Sequence, residues 1–329
     1  MQKNTTYISV GDFLDVYHKI REKGLRYLMS KVKLLPTARI ESKWDSYAST
    51  SDFWLIPAIQ HSWNKMISGH PEMEYEEYVA QKYLSNKRNL KLLSIGCGEG
   101  SHDRNFAKQG CFSLIDGIDI SPESIKNAVQ SAKENNVDIN YFQGDFKKMK
   151  LNSNSYDVIL FSSSLHHFKD VEATLQHDVK PLLKPDGILV IYEFTGPNRL
   201  QWTKEQLDKA NELLRNLPLK FKMLSDKSSV KKKVYRPGLL RMLLVDPSEA
   251  IDSESIVPSL NKHFKVLEQT DLGWNILHIL LKGIAQNFLN EEPETKKIID
   301  FLIAEEADFV KKQLKSDAIF GVYQNKNLL

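Results

Sequence analysis

"LLSIGCGEGSHD", residues 92–103, carries an apolar run into a knot of three glycines, Gly96, Gly98 and Gly100, and then turns polar. A strand that ends in a glycine-rich turn and opens a helix brings backbone N–H groups close to a ligand, because no Cβ intervenes. Two ligand classes use such a knot, a dinucleotide and a sulfonium nucleoside. A dinucleotide fingerprint reads G-x-G-x-x-G, its third glycine letting the helix pack tightly on the strand. Here that position is Ser101, the pattern is G-x-G-x-G, and Glu99 sits inside the loop. A carboxylate is repelled by a pyrophosphate but tolerated beside a sulfonium or an ammonium. The knot leans away from a dinucleotide.

Two further carboxylates follow at strand-like spacing. Asp119, in "LIDGIDIS", stands where a ribose diol can be held through both hydroxyls. Its plainer role is to cap the helix that begins in "SPESIKNA", although Ser121 already suits that task. Asp145, in "YFQGDFKKM", ends a third strand and is followed by Phe146. That pair suits an adenine, the acid taking the amino group and the ring packing alongside.

Outward from the knot, short apolar runs alternate with amphipathic stretches, the grammar of βαβ units and a parallel sheet. The pattern predicts strands at 91–96, 113–118, 139–142, 157–162 and 187–193. It predicts helices at 101–109, 122–134 and 171–183, with a short one near 146–149. "KPDG" at 184–187 reads as a helix stop and turn. Later come a helix at 252–262, a strand at 264–269, a buried helix over 274–289, a helix over 294–314 and a last strand at 318–326. In the 294–314 helix, Ile298, Ile299, Leu302, Phe309 and Leu314 are expected to face inward. Upstream, residues 9–34 have the helical spacing of Phe13, Val16, Tyr17, Ile20, Tyr27 and Leu28, and a helix at 74–85 carries Tyr75, Tyr78, Val79 and Tyr83 on one side.

Composition excludes several classes. No run among the 329 residues approaches the roughly 20 apolar residues that span a bilayer. The N-terminus lacks the order of a signal peptide. Cys97 and Cys111 offer neither a disulfide framework nor metal-ligand spacing, so a reduced, cytoplasmic protein with no metal site is expected. A net charge of +3 does not point to nucleic acid.

The ordered set "LLSIGCGEGS", "GIDIS", "GDF", "YDVILFSSSLHHF" and "LLKPDGILVIYE" resembles the class I S-adenosylmethionine-dependent methyltransferases, continuously over about residues 88–195. The resemblance implies an α/β fold, a doubly wound seven-stranded sheet with an antiparallel last strand. It implies S-adenosylmethionine held by Gly96, Cys97, Gly98, Glu99, Gly100, Asp119, Ile120, Asp145, Phe146 and Ser162. Residues 1–87 are then a helical extension or cap and 88–195 the donor-binding core. An insertion or lid at 196–250 follows, and 251–329 complete the core around a helical insertion at 272–315. "YEFTGPNRLQW", "DPSEAIDSESI" and "GWNILHILLKGIAQNF" resemble a bacterial subgroup sometimes encoded near glycosyltransferases. The chain departs from that subgroup at Phe194, Thr195 and Trp274, all away from the donor contacts.

Methyl transfer needs alignment of nucleophile, methyl and sulfur, and a hydroxyl acceptor also needs a base. His166 and His167 follow the fourth strand at the carboxyl edge, where open α/β sheets bind substrates. An imidazole suits proton acceptance at neutral pH; either could instead pack against the donor or bond backbone. Glu193 ends the fifth strand and is expected either against Arg199 or facing the acceptor, because a lone buried charge is expensive. Arg199, Gln201 and Trp202 offer a planar cation, an amide and an aromatic wall to a sugar or a peptide, or else belong to a lid hinge at Gly196 and Pro197. "KFKMLSDKSSVKKKVYR", residues 220–236, is a solvated loop or a flap for an anionic acceptor. The basic 9–34 helix packs on the domain or a second copy, with peripheral membrane association left open. Trp44, Trp54 and Trp63 are expected in core and pocket wall. The expected function is O-methylation of a saccharide or natural-product hydroxyl. The alternatives are N- or carboxyl-O-methylation of a peptide or small molecule, a non-catalytic binding subunit, and an NAD-dependent enzyme.

Overall fold

Seven strands form from the apolar runs: β1 (Leu90–Ile95), β2 (Phe112–Asp119), β3 (Asn140–Gln143), β4 (Tyr156–Ser162), β5 (Leu183–Phe194), β6 (Phe264–Gly273) and β7 (Ala318–Asn325). The structure, a computed structural model, describes residues 5–14, Tyr17 and 53–326. The strands lie in one sheet in the order β3-β2-β1-β4-β5-β7-β6. All neighbours run parallel except β7, which is antiparallel to both β5 and β6. This is the seven-stranded sheet that the motif order implies.

Period-two alternation along buried strands makes two cores. Leu92, Val158, Leu160, Val190 and Phe320 point to one face; Leu93, Ile95, Ile159, Phe161, Leu189 and Ile191 point to the other. The first face is covered by α1 (Pro57–Ser68), α2 (Tyr75–Tyr83), α3 (Ser101–Lys108), α6 (Lys204–Asn216), α9 (Leu277–Leu281) and α10 (Pro293–Gln313). The second carries α5 (Val171–Ala173) and α8 (Ile256–His263). Two more helices are α4 (Pro122–Glu134) and α7 (Leu239–Val245). Ser121 caps α4, its Oγ accepting from the Ser124 N–H at 3.0 Å. Because β2 and β4 flank β1 on opposite sides, the chain order reverses at β1, and the carboxyl ends of β1 and β4 are where open α/β sheets form their ligand crevice.

Several elements differ from the sequence expectation, each for a local reason. The 171–183 helix is α only through Ala173, a π-helix over Thr174–Val179, and 3-10 over Lys180–Leu182, where Pro181 has no N–H to continue the ladder. "KPDG" does not precede β5 but bulges from within it. Tyr156 faces Leu183 and Val158 faces Ile188, so Asp157 alone stands opposite residues 184–187, and Lys184 Nζ meets its carboxylate at 2.8 Å. The helix expected over 274–289 is buried but broken into α9 and a 3-10 turn, Ala285–Phe288. Lys231 Nζ takes the carbonyls of Ile279, Leu280 and Lys282, and Gly283 turns at φ +81°. Leu314 does not face inward: α10 ends at Gln313, and Leu314 is left-handed and 89 % exposed. Of the 9–34 helix, residues 10–14 are helical and Phe13 is exposed; the remainder, like Trp44, lies outside the described residues apart from Ser9 and Tyr17. Trp54 and Trp63 pack edge to face at 4.4 Å, and Trp274 joins Trp54 at 4.9 Å. Among the described residues no helix is long and apolar enough to cross a membrane.

Candidate active site

Gly96, Gly98 and Gly100 all adopt positive φ, +71°, +53° and +69°. A Cβ on Gly96 would stand 2.5 Å from that of Ser164, and one on Gly100 would stand 2.0 Å from the Tyr141 hydroxyl. At Gly98 nothing lies within 4 Å, so the turn leaves open space beside its backbone. The Gly96 and Cys97 N–H groups are spent on the Ile118 carbonyl, and the Gly98 N–H on Asp119 Oδ2 at 2.8 Å. Asp119 Oδ1 accepts from the Ser121 N–H at 2.8 Å. Burial raises the Asp119 pKa, opposed by these backbone bonds. Its own carbonyl accepts from Gly144 at 2.8 Å, which brings Asp145 to the same edge. Asp145 caps a 3-10 turn through the Lys147 N–H at 3.1 Å, and Phe146 is buried beneath it. Glu99 is exposed and accepts from Asn127 at 3.0 Å; Ile120 gives its carbonyl to Gln143. Ser162 Oγ is buried with no partner among the described residues.

Across the crevice, β4 turns into a 3-10 segment, Leu165–His167. Glu193, 1 % exposed at the end of β5, gathers that turn. Its Oε2 accepts from the Ser164 and Leu165 N–H groups at 2.7 and 2.6 Å. Its Oε1 accepts from the Phe194 N–H at 2.8 Å and from His166 Nδ1. A buried carboxylate is tolerable here because four donors satisfy it. Ser164 Oγ also donates to the Ile95 carbonyl at 2.6 Å, so the glycine loop and the histidine turn meet in one residue.

The other edge of His166 faces a loop not adjacent in sequence. Its Nε2 lies 3.7 Å from Glu249 Oε1. The rings of His166 and His167 are 4.1 Å apart. His167 Nδ1 is 3.3 Å from Ser248 Oγ, which donates to Asp246 Oδ1 at 2.6 Å. Each of His166, His167 and Glu249 offers one ligand atom within 4.8 Å of the others, a set able to hold a cation.

A family model described as a methyltransferase domain matches residues 86–255, just over half of the chain. The chain belongs to this methyltransferase-domain family. The matched stretch contains the glycine loop, Asp119, Asp145, His166, Glu193 and Glu249. The chain is 30 % identical over 140 residues to a ubiquinone biosynthesis O-methyltransferase of Haemophilus ducreyi, covering 40 % of this chain and 58 % of that protein. It is 26 % identical over 134 residues to a sterol 24-C-methyltransferase of Candida albicans, covering 40 % and 35 %. Among solved structures, phosphoethanolamine N-methyltransferase 2 of Haemonchus contortus matches 77 % of this chain and 52 % of that one, at 16 % identity and a TM-score of 0.47. The chain thus spans between about a third and three fifths of the length of these relatives.

Three residues singled out in the turn after β5 have structural partners. Arg199, at φ +58°, donates through Nη1 to the carbonyls of Pro247 at 2.7 Å and Glu249 at 3.2 Å. It therefore fixes the loop that presents Glu249, while burial lowers its pKa. Gln201 accepts from the Thr6 N–H at 2.9 Å and donates to Pro237 O at 3.0 Å. Trp202 is buried against His278, rings 5.6 Å apart, and burial holds that imidazole neutral with a pKa of about 3. The basic 220–236 segment is tied down. Lys220 meets Glu294 at 2.7 Å, Lys222 donates to Arg215 O, and Arg236 donates to Trp202 O. Sequence reasoning missed Glu249, Ser248 and Asp246 as site residues. The only signal was the polar "DPSE" just before α8.

Proposed function

We propose that this methyltransferase moves the methyl group of S-adenosylmethionine to a hydroxyl group of a small molecule, leaving S-adenosylhomocysteine. One observation carries the reading: a buried carboxylate–imidazole pair, Glu193 and His166, is joined through Ser164 to a glycine loop with an open face. Bound donor supplies a methyl carbon already activated by positive sulfur. The residues present fit it, because the space beside Gly98 is the room a Cβ would fill. Asp119 and Ile120 stand at the ribose end, Asp145 and Phe146 at the base end. Cys97, Glu99 and Ser162 line the remainder.

The acceptor hydroxyl lies against His166, His167 and Glu249, whose task is to remove its proton as the oxygen attacks. Glu193 holds the His166 ring, and Arg199 holds the loop of Glu249, so the cluster is oriented before the acceptor arrives. We infer that the described helices before β1 and the 196–250 segment roof this side, with Trp202, Trp274 and Phe194 excluding water. The name of the Haemophilus relative, an O-methyltransferase, supports an oxygen acceptor. The subgroup likeness of "GPNRLQW" and "DPSEA" supports a saccharide or glycosylated natural product. Mass spectrometry over a panel of sugars, glycosides, phenols, amines and peptides tests it. The expected outcome is one methyl gained on a hydroxyl, lost in His166→Ala while S-adenosylhomocysteine still binds in calorimetry. Transfer to amines alone, or undiminished transfer by His166→Ala, overturns the reading.

A further inference from the structure

Gly11 and Gly238 have no positive φ to explain them, yet each faces the other's segment at a distance no side chain would fit. Gly238 stands just before α7 at φ −76°, a conformation open to any residue. A Cβ there would lie 2.1 Å from Asp12 Oδ2 and 2.9 Å from the Tyr7 carbonyl oxygen. A Cβ on Gly11 would lie 2.7 Å from that of Tyr235. Both positions are small because a strap, residues 6–12, is seated backbone against backbone on residues 235–240. Leu239 and Leu240 donate their N–H groups to the carbonyls of Thr6 at 2.9 Å and Tyr7 at 3.1 Å. The Asp12 carboxylate accepts from the Gly238 N–H at 3.1 Å and the Ser9 N–H at 3.0 Å, with Arg241 Nη1 3.8 Å away. Gln201 ties both pieces to the turn after β5, accepting from the Thr6 N–H and donating to Pro237 O.

α7 itself is held little by apolar burial. Of its seven residues Met242 alone is buried, while Leu240, Leu243, Leu244 and Val245 are exposed. It ends at Asp246, which accepts from Ser248, and Ser248 Oγ lies against His167. Just beyond, Arg199 holds the carbonyls of Pro247 and Glu249. A segment with little buried apolar surface, fixed at one end and tied by hydrogen bonds at the other, opens locally before the sheet does.

We propose that residues 237–246 are a lid on the acceptor side, hinged at Pro247 and latched by residues 6–12. Latched, α7 keeps Asp246 and Ser248 against His167. Released, it swings about Pro247 and draws Ser248 from that ring, so that the acceptor enters or the methylated product leaves. The donor side keeps its own ties, the glycine loop to Ile118, Asp119 and Ser164, and holds its ligand in either state. The strap lies outside the matched methyltransferase domain, which begins at residue 86. The inference rests on the proposed function for which side is the acceptor's.

Two variants of the full chain test it, one from each side of the seat. Asp12→Ala removes the acceptor of the Gly238 N–H, and Gly238→Ala pushes on Asp12 without a backbone penalty of its own. Hydrogen–deuterium exchange is expected to run at least about tenfold faster over amides 238–246 in one variant or both, with β1 and β4 unchanged. Diethyl pyrocarbonate, a small reagent for accessible imidazole, is expected to label His167 correspondingly faster. S-adenosylhomocysteine should bind as tightly as to the parent. Unchanged exchange over 238–246 in both variants overturns the latch, and faster exchange without faster labelling of His167 overturns the lid. Exchange that quickens in β1 and β4 as well, or weakened S-adenosylhomocysteine binding, makes the strap a support of the whole fold and also overturns the proposal. Neither readout uses methyl transfer, so the two readings fail separately. A chain that methylates no hydroxyl removes the proposed function and leaves the lid. Hydroxyl methylation with unchanged exchange in both variants does the reverse.

Discussion

Gly96 and Gly98 share a backbone conformation but not a neighbourhood, and the difference predicts two distinct failures. Both have positive φ, so alanine at either costs about 1–2 kcal/mol. At Gly96 the new methyl also meets Ser164 Cβ at 2.5 Å, and crowding of that kind adds about 1–3 kcal/mol. Ser164 cannot yield freely, since its N–H is held by Glu193 and its hydroxyl by the Ile95 carbonyl. Gly96→Ala should therefore melt several degrees below Gly98→Ala in the absence of ligand. Gly98→Ala should bear only the backbone cost yet lose S-adenosylhomocysteine, because its methyl enters the open space proposed for the donor. Thermal unfolding and calorimetry on the two variants check both halves. Asp119→Ala is expected to lose S-adenosylhomocysteine as well, and to lose stability too, because the Gly98 N–H and the Ser121 N–H lose the carboxylate that accepts from them. Near-normal affinity in Asp119→Ala would remove that residue from the donor site.

At the scale of elements, α9 depends on a residue of α10. Glu306 is buried, and its carboxylate accepts from the N–H groups of Asn275, Ile276 and Leu277 at 2.7, 2.9 and 2.7 Å. These are donors at the start of α9 that no helical carbonyl can reach. Leaving buried N–H groups without an acceptor costs about 1–3 kcal/mol each, so Glu306→Ala should lose at least 3 kcal/mol in urea unfolding. Glu306→Gln, which keeps one acceptor oxygen, should lose about half as much. A loss within experimental error in Glu306→Ala would show that α9 is held by its apolar face alone. Such distant supports are what sequence reading could not supply. β1 to β4 were legible to within a residue or so because alternation and glycine turns are local signals. The break after α9 was not, because the Lys231 that takes its carbonyls lies about fifty residues upstream. The bulge at 184–187 depends on which residues of β4 face it, again a non-local matter. The candidate site divides in the same way. Its glycine loop, Asp119 and Asp145 sit at the ends of adjacent strands, and each carries its own local signature. Glu249 reaches His166 only because the chain returns from β5 to the loop before α8, and Arg199, expected either to meet the acceptor or to belong to a lid hinge, is what fixes that return.

For the whole molecule, buried carboxyls decide how stability responds to pH. Asp317 lies where α6, the end of β5 and the β6–α9 junction meet. Its Oδ2 accepts from Gln206 at 2.5 Å, its carbonyl from the Thr195 N–H at 2.7 Å, and its N–H reaches Gly273 O at 3.0 Å. Burial pushes its carboxyl up to about 7; Glu306 and Glu254 add to the rise, while the Gln206 bond and Lys315 oppose it. Asp103, buried in α3, is pushed up to about 6 by the same desolvation. Well below pH 4, both carboxyls are largely protonated whether the chain is folded or not, and neither carries a burial penalty. Between about 4 and 7 the unfolded chain ionises Asp317 while the folded chain keeps its proton. The unfolded state then binds fewer protons, and stability falls as pH rises. Above about 7 the folded state must hold a buried anion and the loss is complete. A rise of about three pKa units corresponds to a penalty on the order of a few kcal/mol. Asp317→Asn keeps an acceptor for Gln206 and removes the titration. It should therefore melt above the parent at pH 8, with the advantage shrinking toward zero as pH approaches 4. Asp103→Asn should do the same over a window that closes about one unit lower. A pH-independent difference between Asp317→Asn and the parent would mean that Asp317 does not change its ionisation on folding, and that the junction of α6, β5 and α9 is held by its neutral hydrogen bonds.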